Sequence, residues 1–183
     1  MLKKLVLTGV IAALTVSASL ALEPLTAGPQ KGDKVPGPFH PLNITGKSAG
    51  EKHCLYCDNG PNPVAVVFAR ELTPEVSALL KKLDEATVKN GSCSMGSYAV
   101  FMSDSEKLPD QLKNLADQAK LTKLILSIDN PAGPKAYEIS KDAAVTVLLY
   151  KDVTVAANHS FKTGELSEKA ITKVVSDVSK ITK

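Results

Sequence analysis

Six consecutive apolar residues, Val64-Ala-Val-Val-Phe-Ala69, constrain this chain more than any other stretch. A run of strand formers without polar alternation offers no face to water. It predicts a strand buried on both sides, in a sheet covered by other elements. Strong turn residues precede it, Asp58-Asn-Gly-Pro-Asn-Pro63. Thr73-Pro74 follows as a helix start, with threonine as N-cap and proline at the first helical position. Val76, Leu79, Leu80 and Leu83 then repeat at helical spacing, and Asn90-Gly91 ends that helix.

The alternation continues downstream. Ser97–Met102 predicts a second strand. Pro109 opens a second helix, with Leu112, Leu115, Ala116 and Ala119 facing inward, and Leu124–Ile128 forms a third strand. Ala144–Tyr150 and Val153–Ala157 meet at Lys151-Asp152 and predict a hairpin. A last helix carries Ile171, Val174, Val175, Val178 and Ile181 on one stripe. The order β-α-β-α-β, then β-β-α, implies parallel strands joined by right-handed crossovers, closed by an antiparallel hairpin and a helix.

The first 21 residues read as a secretory signal peptide. Lys3 and Lys4 supply the charge, Leu5–Leu14 a short apolar run, and Ser19-Leu20-Ala21 a small-residue cleavage point. The apolar run is too short to anchor the chain, since a span needs about 20 residues. No stable membrane span is expected once it is removed, and the product is periplasmic or secreted. Residues 22–41, rich in proline and glycine, read as an extended arm. A short strand is expected around Leu42–Thr45, and residues 42–183 form the domain. With 22 basic and 19 acidic residues and no Trp, the composition suggests no nucleic-acid groove and argues against an aromatic platform. Nothing in it assigns an oligomeric state.

Residues 34–183 resemble a redoxin- or peroxiredoxin-type member of the thioredoxin-like superfamily. The likeness rests on element order, on Val64–Arg70 leading into a helix, on Tyr137-Glu-Ile139, and on Val145–Tyr150 with its hairpin. It implies an α/β fold in three layers, a central mixed sheet flanked by helices with an N-terminal β extension. Cys54-Leu-Tyr-Cys57, Gly60 and Pro63–Arg70 also resemble a group of exported thioredoxin-like proteins from bacteria such as planctomycetes. Two features depart from the family. Its reactive cysteine follows the first core strand, where this chain has Arg70-Glu-Leu-Thr-Pro74. Its cis-proline before the fourth strand is replaced by Ala143-Ala144-Val145. The family's usual site carries over to no residue here.

Chemistry is therefore sought in Cys54-Leu-Tyr-Cys57, which lies ahead of the core strand instead of behind it. Two cysteines at this spacing close a small, often reducible ring. His53 before the first sulfur stabilises a thiolate when cationic. In the redox reading Cys54 attacks, Cys57 resolves, and the partners are protein thiols or disulfides. In the other reading the chain is a non-catalytic thioredoxin-fold binding module, whose pair is either an inert structural disulfide or a Zn or Cu clip built on His53, Cys54 and Cys57 with Cys93 or His159 as a further ligand. Asp58 after Cys57 disfavours covalent haem. Cys93, in the loop before the second strand, shares an edge of the sheet with the Cys54 loop, which leaves two readings open: a contact with Cys54 or Cys57, or a buried small hydrophobe. Arg70, Glu71 and Asp129 sit at C-terminal strand ends, where α/β sheets bind ligands, either pairing together or holding a small anion.

Overall fold

The computed structural model describes residues 25–183, so the leader and its cleavage point lie outside the described residues. The strands are β1 (Leu42–Asn43), β2 (Val64–Ala69), β3 (Gly96–Met102), β4 (Ile125–Asp129), β5 (Val145–Lys151) and β6 (Thr154–Phe161). The helices are α1 (Leu55–Asn59), α2 (Pro74–Lys89), α3 (Leu108–Ala119), α4 (Glu168–Asp177) and α5 (Ser179–Thr182). All six strands join one sheet in the order β1-β4-β3-β2-β5-β6. β2, β3 and β4 run parallel, while β5 is antiparallel to β2, β6 to β5 and β1 to β4. The apolar run is the inner strand β2, with all six residues buried.

Alternation along β2 divides the core. Ala65, Val67 and Ala69 face the stripes of α2, α3 and α4. Val64, Val66 and Phe68 face the other way. The steps from β2 to β3 and from β3 to β4 move in the same direction across the sheet. Crossovers of one hand therefore put α2 and α3 on the same face. Among the described residues the opposite face has no long helix. Val35 and Phe39 of the arm, Leu55 of α1, and Tyr137 and Ile139 from the β4–β5 connection close it.

The arm is consequently bonded into the domain. Gly32 N–H donates to Val155 O, Val155 N–H to Asp33 O, and Val35 N–H to Val153 O, so the arm lines the outer side of β6. The Tyr137 hydroxyl donates to Gly37 O at 2.9 Å, and Phe39 packs edge-on against Tyr137. Burying a side chain such as Val35 contributes about 1.5–3 kcal/mol.

Two local details differ from the periodicity. The last helix breaks at Val178, where Val178 N–H bonds Val175 O and Ile181 N–H bonds Val178 O in tighter 3₁₀ steps. The buried stripe of Ile171, Val174, Val178 and Ile181 survives the break. The hairpin turns at Asp152-Val153, one residue later than expected, with both residues at positive φ (52° and 59°) as a tight two-residue turn requires.

Asp84 interrupts the inner stripe of α2 and is buried. Its carboxylate accepts the N–H groups of Thr122, Lys123 and Leu124, at 2.7 Å for the last two. These are the free backbone donors between α3 and β4. Among the described residues no helix is long and apolar enough to cross a membrane.

Candidate functional site

Cys54 is the N-cap of the one-turn helix α1, and its sulfur accepts the backbone N–H of Cys57 at 3.1 Å. The spacing brings the two Cα atoms to 5.3 Å, and the sulfurs are joined in a disulfide. The partners differ in exposure. Cys54 is only 5% exposed, whereas Cys57 is open to solvent. Beside them, His53 Nε2 lies 2.8 Å from Asp58 Oδ2, an exposed pair that ties the residue before the ring to the residue after it.

α1 rests on the arm-side core, over the start of β2. Leu55 is its buried anchor, and Tyr56 lies against Tyr150, ring centroids 6.5 Å apart. Tyr150 and the neighbouring Tyr98 are fully buried, and neither hydroxyl has a hydrogen-bond partner. Burial pushes the Tyr150 phenol up to about 12 and raises the Tyr98 phenol well above its ordinary value, so both stay neutral in the core under α1.

Asn59 ends α1, its amide donating to Leu55 O at 2.7 Å. It lies so close to Gly96 that a Cβ there would fall 1.7 Å from Asn59 Oδ1. Gly96→Ala should therefore displace Asn59, break the Leu55 bond and cost about 1–2 kcal/mol. In urea unfolding, adding Asn59→Ala to Gly96→Ala should cost less than the sum of the two single changes. Strict additivity would show that the close approach does not matter.

The other expected site residues are not brought together. Cys93 is free and does not reach Cys54 or Cys57. It ends a 3₁₀ turn (Gly91–Cys93), its thiol donates to Asn90 O, and it packs on the helix-side core while α1 packs on the opposite one. Both loops do reach the same edge of the sheet, but from opposite faces. The His53–Cys54–Cys57 metal set is not assembled either, because both sulfurs are in the disulfide and His53 is paired with Asp58. No group of three or more His, Cys, Asp or Glu able to hold a metal occurs among the described residues.

His159, on β6, is far in the fold from α1 and packs against α4 and α5. Its Nε2 is 3.1 Å from Asp177 Oδ2 without meeting hydrogen-bond geometry. Lys173 and Lys180 also grip that carboxylate and hold it below the usual aspartate range despite its burial. Burial lowers the His159 pKa, outweighing the pull of Asp177. A histidine that is harder to protonate folded than unfolded opposes the native state once acid charges it. Stability should thus rise with pH up to about 6.5 and be lost progressively below it. Urea titrations at stepped pH should show a shallower acid slope in His159→Gln, and an unchanged slope would contradict this.

Arg70 forms no ion pair with Glu71 or Asp129. Its guanidinium donates to the carbonyls of Ala143, Pro131 and Ser140, at 3.0, 2.9 and 3.2 Å, and fixes the connection into β5. Asp129 accepts from Asn130. Beside Arg70, a cleft of about 560 Å³ opens between the starts of α2 and α4, over Val76, Val145 and Leu166. It contains no cysteine and lies across the sheet from the disulfide.

No family model matches the chain, and no curated protein does. Solved structures do resemble it. A provisionally assigned protein disulfide isomerase from Bacteroides thetaiotaomicron superposes with a TM-score of 0.64 at 12% identity, over 86% of this chain and 94% of its own. A secreted disulfide oxidoreductase from Mycobacterium tuberculosis gives 0.56 at 11%, over 77% and 94%. The peroxidoxin BcpB of the same organism gives 0.57 at 14%, over 80% and 97%. With the mixed sheet, its parallel crossovers and its closing hairpin and helix, these likenesses establish that the chain has a thioredoxin-like α/β fold.

Proposed function

We propose that this is an exported thiol–disulfide exchange protein whose redox pair is Cys54–Cys57 and whose partners are protein thiols or disulfides. The observation that carries the reading is the asymmetry of the pair: one cysteine is at the surface and the other is buried in the same turn. Exchange needs a sulfur that a partner can reach and a second that is retained nearby to complete the cycle. Two of the structural neighbours named above are disulfide enzymes, and the leader expected at residues 1–21 would deliver the chain to an oxidising compartment.

A structural staple is the second reading, favoured by the burial of Cys54. Its benefit is bounded. Closing so short a ring removes chain entropy worth only about 2 kcal/mol, less than a long loop would give.

The test mixes the disulfide form with a reduced unfolded protein containing two thiols and traps free thiols by alkylation at intervals. Exchange predicts that the substrate becomes oxidised as Cys54 and Cys57 become alkylatable, in equal amounts. A staple predicts that neither changes. Export is tested separately by sequencing the N-terminus of the processed chain, expected to begin at Leu22.

A further inference from the structure

We infer that Cys57, the second cysteine of the motif, is the sulfur that bonds to the partner, and that Cys54 is the retained, resolving one. This rests on the exchange function proposed above and assigns the order of its steps, reversing the order that the sequence pattern suggests.

Three observations point the same way. Cys57 is exposed, while Cys54 is 5% exposed. An incoming thiolate must approach the sulfur it attacks in line with the bond that breaks, and only Cys57 leaves room. The sulfur displaced is then Cys54, which already accepts the Cys57 N–H at 3.1 Å, a bond that strengthens when the acceptor becomes a thiolate. Finally, Leu55 is buried and Asn59 ties back to Leu55 O, so α1 keeps Cys54 in place when the ring opens.

The steps balance as follows. A partner thiol loses its proton to water, and its thiolate attacks Cys57 Sγ. The Cys54–Cys57 bond breaks, a partner–Cys57 disulfide forms, and Cys54 leaves as a thiolate. A second thiolate of the same partner attacks the partner sulfur of that mixed disulfide, and Cys57 departs as a thiolate. The partner has lost two electrons and the pair has gained them. In the reducing direction each step reverses. Cys57 attacks the partner's disulfide and Cys54 then attacks Cys57 Sγ, releasing the partner.

The experiment uses Cys54→Ser and Cys57→Ser, each in a Cys93→Ala background so that a single thiol remains, with 5,5′-dithiobis(2-nitrobenzoate) as the probe disulfide. Cys54→Ser is expected to form its mixed disulfide at least about tenfold faster than Cys57→Ser, because access limits the buried sulfur. A faster Cys57→Ser, or equal rates, would overturn the assignment. A check on the unsubstituted protein does not depend on variant folding. After reduction and a brief pulse of iodoacetamide, peptide mass spectrometry should find the label on Cys57 before Cys54, and the opposite order would overturn it. The underlying exchange function is judged apart from this order: it fails if the unsubstituted protein oxidises no dithiol at all, whichever thiol labels first.

Discussion

Replacing Cys54 and Cys57 together by serine is expected to lower the rate of dithiol oxidation by at least about a thousandfold, to the uncatalysed background. No other thiol can take over. Cys93 is free but half-buried on the opposite core, with its sulfur turned to Asn90 O. The cleft beside Arg70, at the edge where redoxins keep their thiol, has no cysteine. The same variant should remain folded. Serine at position 54 is itself a strong N-cap and can accept the N–H that the sulfur accepts. The ring contributes about 2 kcal/mol through the unfolded chain, a modest part of a domain's stability. Large loss of activity with a small fall in melting temperature is thus the signature of a redox pair. A variant with full activity would eliminate the proposed function, and one that loses the ring's stability while the unsubstituted protein itself has no exchange activity would identify a staple.

Asp84→Ala is expected to produce the largest loss of stability among the changes considered, about 3 kcal/mol or more. Its carboxylate serves three consecutive N–H groups, Thr122, Lys123 and Leu124, and the Thr122 hydroxyl lies within 3.4 Å. Hydrogen bonds to a charged acceptor are worth about 1.5–3 kcal/mol each, and truncation leaves the buried Leu124 N–H with no partner. The segment loses its register at the entry to β4, which pairs with both β3 and β1. A loss of 3 kcal/mol corresponds to roughly 6–12 °C in melting temperature for a domain of this size. Asp84→Asn, which keeps one good acceptor, should fall between the two. Exchange through Cys57 should persist in folded Asp84→Ala, since α1 packs on the other face of the sheet. Calorimetry showing less than about 1 kcal/mol of loss would mean that water can replace the carboxylate.

Most of the fold was legible because its long elements carry uninterrupted periods. The β2 run and the stripes of α2 and α4 announce their buried faces directly. Asp84 was legible in principle as well: it lies four residues after Leu80, and a carboxylate on an apolar stripe needs donors. The arm was harder to read. Val35 and Phe39 stand alone among prolines and glycines without a period, yet they close the face that has no long helix. α1 was hidden because one turn of helix carries no repeat, and the residues that follow it, Asn59-Gly-Pro-Asn-Pro63, announce only a turn.

The site was half legible. The spacing of Cys54 and Cys57 is enough to suggest their bond. Which sulfur faces water depends on how α1 lies on Tyr56 and Leu55, a tertiary matter. The separation of Cys93 has a similar cause. Sharing an edge of the sheet says nothing about which face a loop covers, and that is decided by the crossovers. Arg70 likewise offers Glu71 and Asp129 as carboxylate partners in the sequence, and the loop carbonyls that it actually holds lie too far along the chain to be read there.

The account stands or falls on whether the Cys54–Cys57 bond opens and closes under conditions that partner thiols can supply. Equilibrating the protein in glutathione buffers of graded ratio, with quenching by alkylation and weighing of the intact chain, measures this directly. An exchange pair should titrate as a two-electron couple above about −300 mV, within reach of those buffers. A bond that stays closed across the whole range, with Cys57 never alkylated, would contradict it.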